Sequence, residues 1–471
     1  MKVSVSTGPS QDAARDLGRF RMTFTFQLEE DDSLTGQSTN AGGGAIRLGA
    51  RTANFYFPFE FDLPHPDLVA LAALKIISPY IGSHLEMDRP VSADMARMIS
   101  GTYRHISRVA TDEKLAPRRS TNRLREKAAI SFSGGVDSVA VAAIMPPDTP
   151  LIKVARTFHP EIGPFETWTS SDGPVETMNR MPNDARKILV RSDFMFLTTN
   201  GSYCLYPDGY AFTIPVMLLA DHLELTHVLT GDILAAFTGN ETVTTRNPVS
   251  RAVATFAAVD LALEYPCNGV SEVTTTSIAR GAGLLAIAST CEYGPFAKPC
   301  MRCVKCLRKS LYNYALFGEK LGPAEIKRFN NSPGVQKLAA DEGRLGKSLM
   351  ASYKFSFQQI ESDFPGPLGQ IRETALSMRL RVGWIPKILT PAYEKRPAFV
   401  YPALDHIRDF AAPMAKWDEQ EFQRLDWRKN FGPEAESPPA VPPPVPEVLP
   451  LAAHPDQPWW QRLTSRPGGR G

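Results

Sequence analysis

The run from Ala128 to Ile144 constrains this chain more than any other stretch. It reads Ala-Ala-Ile-Ser-Phe-Ser-Gly-Gly-Val-Asp-Ser-Val-Ala-Val-Ala-Ala-Ile. An apolar segment leads into Ser133-Gly134-Gly135-Val136-Asp137-Ser138, and a second apolar segment comes after it. The pattern predicts a strand, a tight turn and the start of a helix. Two adjacent glycines let the backbone approach a ligand and adopt dihedrals that a side chain forbids. The first turn of the helix presents free N–H groups and the positive end of the helix dipole, so an anion fits there. Ser133 and Ser138 add hydroxyls. Asp137, an acid in a loop built for anions, points to helix capping or to a role with Mg²⁺ and a nucleotide. No Gly-Lys-Ser/Thr comes next, so the lysine of a Walker loop is missing.

The rest of the chain frames this unit. A length of 471 residues exceeds one ordinary core and predicts two or three domains. The net charge of +2 and the lack of a basic block single out no nucleic-acid partner. The polar start and the absence of a long apolar run predict a cytoplasmic chain with no membrane span.

Met1–Gln11 reads as a disordered start. Alternation of Phe20, Met22, Phe24 and Phe26 predicts a strand over Phe20–Gln27, and Asn54–Phe61 also reads as strand. Ser38–Gly44 reads as a flexible polar loop. Leu68–Ile77 reads as a helix stopped by Pro79, and Ser92 as the cap of a helix running to Ser100. Residues 1–115 therefore form a small α+β N-terminal domain. Asp112–Lys127, with Arg118, Arg119, Arg123 and Arg125, reads as a solvated linker.

Residues 116–320 form the domain that carries the glycine loop. Strands are expected at Leu151–Ala155, Arg186–Val190 and Thr226–Leu229, with an apolar helix over Ala211–Leu223. Alternating strands and helices predict an α/β, Rossmann-like parallel sheet covered on both faces. Ligands in such sheets bind beyond the carboxyl ends of the strands. Those ends carry Ser133, Arg156, His159, Asp193, Thr230, Gly231 and Asp232. Residues 321–432 read as a mainly helical C-terminal region. Residues 433–471 read as a Pro-rich disordered tail, with Pro442-Pro443-Pro444 and Trp459-Trp460.

Four of the six cysteines, Cys291, Cys300, Cys303 and Cys306, form a C-x8-C-x2-C-x2-C motif. Clustered cysteines in such a chain favour a metal over disulfides. Four thiolates close a tetrahedral Zn²⁺ shell without an open position, which makes the ion structural; an iron–sulfur cluster is the chemical competitor. Cys204 and Cys267 stand apart and read as buried, inert thiols.

Ser133–Ser138 matches the Ser-Gly-Gly-x-Asp-Ser signature of the PP-loop ATP pyrophosphatase (adenine nucleotide alpha hydrolase) superfamily. With the cysteine motif, the basic segment Leu307-Arg308-Lys309-Ser310, and Pro266 with Gly269–Thr274 after it, residues 127–315 resemble the 7-cyano-7-deazaguanine synthase (QueC) family. The resemblance implies a HUP-type fold, with Ser133, Gly134, Gly135, Val136, Asp137 and Ser138 binding the pyrophosphate of ATP with Mg²⁺. It assigns Asp137 and Ser138 to catalysis, places Gly231 and Asp232 near the nucleotide, and makes the four cysteines zinc ligands. It further implies an AMP-forming carbon–nitrogen ligase. Such an enzyme adenylates a small-molecule or peptide carboxylate and transfers ammonia to give an amide or nitrile. It also implies a homodimer. The family's Arg-Asn pair after a proline is replaced here by Asp208-Gly209-Tyr210 after Pro207, and Glu161–Asp184 is an added polar insert. Competing expectations are a PP-loop tRNA sulfurtransferase, which needs a catalytic cysteine outside the metal site, and a nucleotide-binding partner protein without catalysis.

Overall fold

The computed structural model describes residues 1–10, 18–37, 45–120, 127–159, 161, 172–182, 186–199, 206–233, 248–267, 272–289, 291, 294–340 and 347–377. The expected loop Ser38–Gly44, most of the polar insert, Cys204, residues 378–432 of the expected helical region and the Pro-rich tail lie outside these residues.

The strands are β1 (Lys2–Pro9), β2 (Phe20–Gln27), β3 (Thr35–Gln37), β4 (Ala45–Leu48), β5 (Thr52–Phe57), β6 (His84–Met87), β7 (Arg108–Val109), β8 (Ala128–Ser131), β9 (Leu151–Arg156), β10 (Lys187–Ser192), β11 (Thr198–Thr199), β12 (His227–Leu229) and β13 (Ala262–Glu264). The first helices are α1 (Pro66–Ile77), α2 (Ala93–Thr102), α3 (Val136–Ile144), α4 (Asp172–Arg180), α5 (Ile214–Leu218), α6 (Pro248–Ala257), α7 (Glu272–Gly281) and α8 (Val304–Phe317). Four more complete the described chain: α9 (Pro323–Asn330), α10 (Pro333–Ala340), α11 (Lys347–Gln359) and α12 (Pro367–Ser377).

Ten strands form one mixed sheet in the order β13-β12-β8-β9-β10-β5-β2-β1-β6-β7. From β13 to β10 every neighbouring pair is parallel. Counted in chain order, these five strands lie 3-2-1-4-5 when read from β10, the doubly wound order. Strand order reverses between β8 and β12, so the glycine loop leaves β8 beside the reversal. That is where open α/β sheets place their ligands. A second sheet, β11-β4-β3, lies apart.

Side chains alternate across the parallel strands as the pleat demands. Ala129, Ile152, Val154, Ile188, Val190 and Val228 enter a core shared with α1 and α5. Ile130, Phe132, Leu151 and Leu229 face the other way, against Val136, Val139 and Ala140 of α3 and Ile278 of α7. A third core joins Cys303, Cys306, Leu307 and Leu311 to Phe329, Leu338, Phe357 and Leu368 in the C-terminal helices.

The cap expected at Ser92 is present, its Oγ accepting from Met95 N at 3.2 Å. Helix α1 begins at Pro66 and gives way at Ser78-Pro79-Tyr80 to a 3-10 turn. The apolar stretch expected as one helix over Ala211–Leu223 instead splits into a 3-10 turn at Ala211–Thr213 and the short α5.

Three further expectations are corrected. Met1–Gln11 is not a disordered start: β1 occupies Lys2–Pro9 and pairs antiparallel with β2 over its full length. Val3 and Val5 point into the core while Ser and Thr alternate outward. The N-terminal segment also shares its sheet and core with the strands that carry the glycine loop. β5 pairs antiparallel with β10 through Tyr56↔Arg191 and Phe55↔Ser192. The apolar residues of β1, β2, β5 and α1 belong to the same cluster as those of β9, β10 and α5. Finally, Arg118 is no solvated linker residue. It is 2 % exposed and donates to the carbonyls of Val259 (2.7 Å), Asp260 (2.9 Å) and Leu225 (3.2 Å), with its Nε 3.1 Å from Asp221 Oδ1. The planar fork of arginine meets several acceptors at once, which is why a charge survives burial here.

No helix among the described residues is long and apolar enough to cross a membrane.

Candidate functional site

The glycine loop is held by its own serines. Ser133 Oγ donates to Ser138 Oγ (3.0 Å), Gly134 N donates to Ser138 Oγ (3.0 Å), and Gly135 N donates to Ser133 Oγ (3.2 Å). Gly134 sits at φ +82°, a left-handed conformation, and a Cβ there would lie 2.7 Å from Pro174 Cα at the start of α4. Glycine is therefore required twice over at this position, by dihedral and by space. The Gly134 carbonyl is pinned by Ser289 N at 2.8 Å. Helix α3 starts at Val136 with Gly135 as its N-cap and no side-chain cap. Among the described residues, nothing accepts from the first-turn amides of Val136, Asp137 and Ser138. Such a turn offers donors and a positive dipole end to an anion.

Gly231 is brought to this loop. A Cβ on it would lie 2.8 Å from Ser138 N, so the end of β12 touches the first turn of α3. Asp232 is next to it, its Oδ2 accepting from Thr230 Oγ1 at 2.7 Å, and burial raises its carboxyl above the usual range.

Asp137 turns away from the serines, toward a group of charges. Its Oδ1 accepts from Thr275 Oγ1 at 2.5 Å. Burial of the carboxyl and the nearby Glu272 charge push its pKa up to about 6, against the opposing pull of Lys309, Thr275 and Arg308. Glu272, one turn before Thr275 on α7, is the hub. Lys309 Nζ lies 2.7 Å from its Oε1, Arg308 Nε 2.5 Å from its Oε2, and the Tyr312 hydroxyl donates to Oε2 at 3.2 Å. Burial alone would raise the Glu272 carboxyl; the two cations outweigh it and hold the group well below the usual range. Two acids and two bases thus share one enclosed volume and balance only when Asp137 is ionised.

Arg308, Lys309 and Tyr312 lie on α8, and α8 begins in the cysteine motif. Cys303 is its N-cap, with Sγ accepting from Cys306 N at 3.3 Å. Gly294 N (3.0 Å) and Cys300 N (3.2 Å) donate to Cys291 Sγ. Cys300 Sγ and Cys306 Sγ are 3.8 Å apart, and all four sulfurs lie within 4.8 Å of one another. Ala297 and Met301 take left-handed φ values of 56° and 52° in the turns that fold the sulfurs inward. A hydrogen bond with Cys303, burial and neighbouring thiol charge push the Cys306 thiol far up. Sulfurs this crowded ionise together only around a cation, and backbone N–H groups aimed at sulfur suit thiolates. The donor set therefore fits a metal ion, and four sulfurs fit the tetrahedral shell expected from the spacing.

Other residues at the strand ends are not brought to the loop. His159 is fully buried. Its Nδ1 accepts from Glu161 N (3.1 Å), so the opposite nitrogen is the donor, toward the Thr52 carbonyl at 3.0 Å. Asp193 is likewise buried and accepts from Asn54 N (2.7 Å) and Asn54 Nδ2 (2.6 Å). Both fasten β5 to the parallel sheet. Arg156 Nε contacts Met195 Sδ at 3.1 Å. Cys267 is fully buried, as expected of an inert thiol. Lys298 and Arg302 are exposed beside the cysteines. Sequence alone does not single out Thr275 or Ser289, and it gives Glu272, Arg308 and Lys309 no individual role. The one signal for those three charges is their place in the two segments flanking the cysteines.

A family model described as a family of unknown function (DUF6395) matches residues 251–426. This span covers the cysteine motif, Glu272 and the helices from α7 to α12, and stops short of the glycine loop. No curated protein matches the chain.

Proposed function

We propose that the chain is an ATP-dependent, AMP-forming carbon–nitrogen ligase of the 7-cyano-7-deazaguanine synthase type, built on a PP-loop. The observation that supports this most is the Ser133–Ser138 loop. It leaves the central strand at the reversal of strand order, with open first-turn amides and an acid whose charge is balanced from behind. In this reading the amides of Val136, Asp137 and Ser138 receive the pyrophosphate of ATP. A substrate carboxylate oxygen attacks the α-phosphorus, the bond to pyrophosphate breaks, and an acyl-adenylate forms. Ammonia then attacks the acyl carbon, AMP leaves, and the nitrogen sheds its proton to give an amide. A second ATP would carry the amide oxygen away if the product is a nitrile. A carboxylate is a poor electrophile, and the donors of the loop stabilise charge that accumulates on the departing pyrophosphate.

Asp137 is the residue that would hold Mg²⁺, and the ion supplies neutralisation of phosphate charge. Lys309 and Arg308 oppose the rise in the Asp137 pKa and so favour the ionised form that this role requires. Cys291, Cys300, Cys303 and Cys306 would hold zinc, which supplies a fixed start to α8 and no chemistry of its own.

The test is product analysis. The protein is incubated with ATP, Mg²⁺, ammonium and a panel of carboxylic acids that includes 7-carboxy-7-deazaguanine, and AMP, ADP and pyrophosphate are resolved. AMP with pyrophosphate, dependent on one acid and lost in Asp137→Ala, is expected. ADP with phosphate, or AMP formation that ignores Asp137→Ala, would sink the assignment.

A further inference from the structure

The loop lacks the lysine that Walker loops place on their phosphates, yet a lysine stands one strand away. Lys153 is the third residue of β9 and pairs across with Leu189 of β10. On its other side Phe132 N donates to the Ile152 carbonyl at 2.9 Å, so β8 ends, and the loop begins, alongside Lys153. Lys153 and Leu151 are two apart on one strand and share a face. Leu151 packs with Val136 and Val139 of α3 and Met178 of α4. Lys153 therefore rises from the sheet on the side of α3 and α4, one step closer than Leu151 to the strand ends. The start of α4 closes on Gly134 at this same corner.

The charge setting of this lysine is unusual for a structural residue. Among the described residues its ammonium makes no hydrogen bond and no ion pair. Among the described residues, the charged group that acts on it is Arg156, of like sign. Burial and Arg156 together push its pKa down to about 8. The residue as a whole is only partly buried. Enclosed cations are almost always paired. An enclosed cation with no protein partner among the described residues, beside a turn of open amides, is complementary to an anion.

We propose that Lys153 supplies the cation the glycine loop lacks, donating to a phosphate oxygen of the nucleotide bound there. This rests on reading the loop as a nucleotide site, and it names the side chain that reads the phosphates. The prediction is a lysine that distinguishes phosphorylated from unphosphorylated ligands and leaves the adenosine moiety alone.

Calorimetric titrations of the full-length chain with Mg·ATP, inorganic pyrophosphate and adenosine provide the test, on wild type, Lys153→Met and Lys153→Arg. A charged hydrogen bond of the usual strength predicts about 10–100-fold weaker binding of ATP and pyrophosphate in Lys153→Met, with adenosine binding unchanged. Lys153→Arg keeps most of the affinity because the charge is kept. In wild type, pyrophosphate affinity falls as pH rises through about 8, where the free lysine loses its proton; in Lys153→Arg that fall is absent. Lys153→Met removes a charge that has no partner among the described residues, so its melting temperature is expected to equal or exceed that of wild type. Should it fail to fold, the wild-type and Lys153→Arg pH profiles still decide. Wild-type affinity for pyrophosphate in Lys153→Met, or a wild-type profile flat through pH 8, overturns the role of Lys153 and leaves the loop reading standing. A wild-type chain that binds neither ATP nor pyrophosphate overturns the loop reading itself, and this proposal with it.

Discussion

Replacing Lys309 with methionine tests the charge balance behind the glycine loop. Lys309, Arg308, Glu272 and Asp137 form two opposite pairs in one enclosed volume, with Lys309 Nζ 2.7 Å from Glu272 Oε1 and acting through space on Asp137. Methionine matches the lysine stem in bulk but leaves one negative charge in excess. Breaking a buried ion pair by removing one partner costs about 3–5 kcal/mol. The cost depends on pH through Asp137. Its folded pKa is raised to about 6, so its contribution to stability is full below the unfolded value and is lost as pH rises through about 6. Without Lys309 that pKa rises further, so the penalty of Lys309→Met is larger at pH 8 than at pH 5. Neutralising the excess charge should help. In Asp137→Asn/Lys309→Met only Glu272 and Arg308 remain, and they balance. The double variant should lose less than the sum of the single variants by about 1–2 kcal/mol. Urea denaturation of the four proteins at pH 5 and pH 8 reads all of this. Additivity within about 0.5 kcal/mol at pH 8 would refute the shared charge balance. So would a Lys309→Met penalty that does not change with pH.

Gly231→Ala pushes a methyl group to 2.8 Å from Ser138 N, and overpacking of this kind costs about 1–3 kcal/mol; thermal unfolding reads the loss, and nucleotide titration should show weakened binding alongside it. Arg118→Met strips the donors from three buried or partly buried carbonyls and from Asp221, with an expected loss of about 3–5 kcal/mol in chemical denaturation. Lysine in the same place is expected to recover little, because one ammonium cannot reproduce the fork. Cys303→Ser removes one of the four sulfurs while its hydroxyl can still cap α8; elemental analysis should show zinc falling from about one per chain, as a closed four-sulfur site predicts, with a lower melting temperature.

Sequence is legible here where structure is local. The glycine loop declares itself because strand, turn and helix are contiguous and the turn needs Gly134. The cysteines do so because two-residue spacers already bring sulfurs together. Phe20–Gln27 and the Ser92 cap are legible for the same reason, a period or a cap written within a few residues. Distant partners decide the rest. Lys2–Pro9 carries two inward valines among polar residues, and only the aromatic face of β2 makes it a strand. Arg118 looks like any surface arginine until Leu225, Val259 and Asp260 surround it. The importance of Glu272 lies in side chains 36 to 40 residues later. His159 sits at a strand end, where the sheet rule expects function, but its partner is Thr52, 107 residues earlier, and its work is structural.

The join between β5 and β10 sets an order of events during synthesis. Thr23 and Asn54, bonded across β2 and β5, are 31 residues apart, whereas Asn54 and Asp193, bonded across the join, are 139 apart. Near contacts close at lower entropic cost and form first. The first strands can therefore pair while β10 is still being made, leaving the free edge of β5, with Phe55 and Phe57, open to water. An apolar edge with unpaired amides is a template for any other strand. The interval between translation of β5 and arrival of β10 is thus one in which this chain is prone to aggregate or to exchange strands with a neighbour. Variants that weaken Asp193 or Asn54 would prolong it.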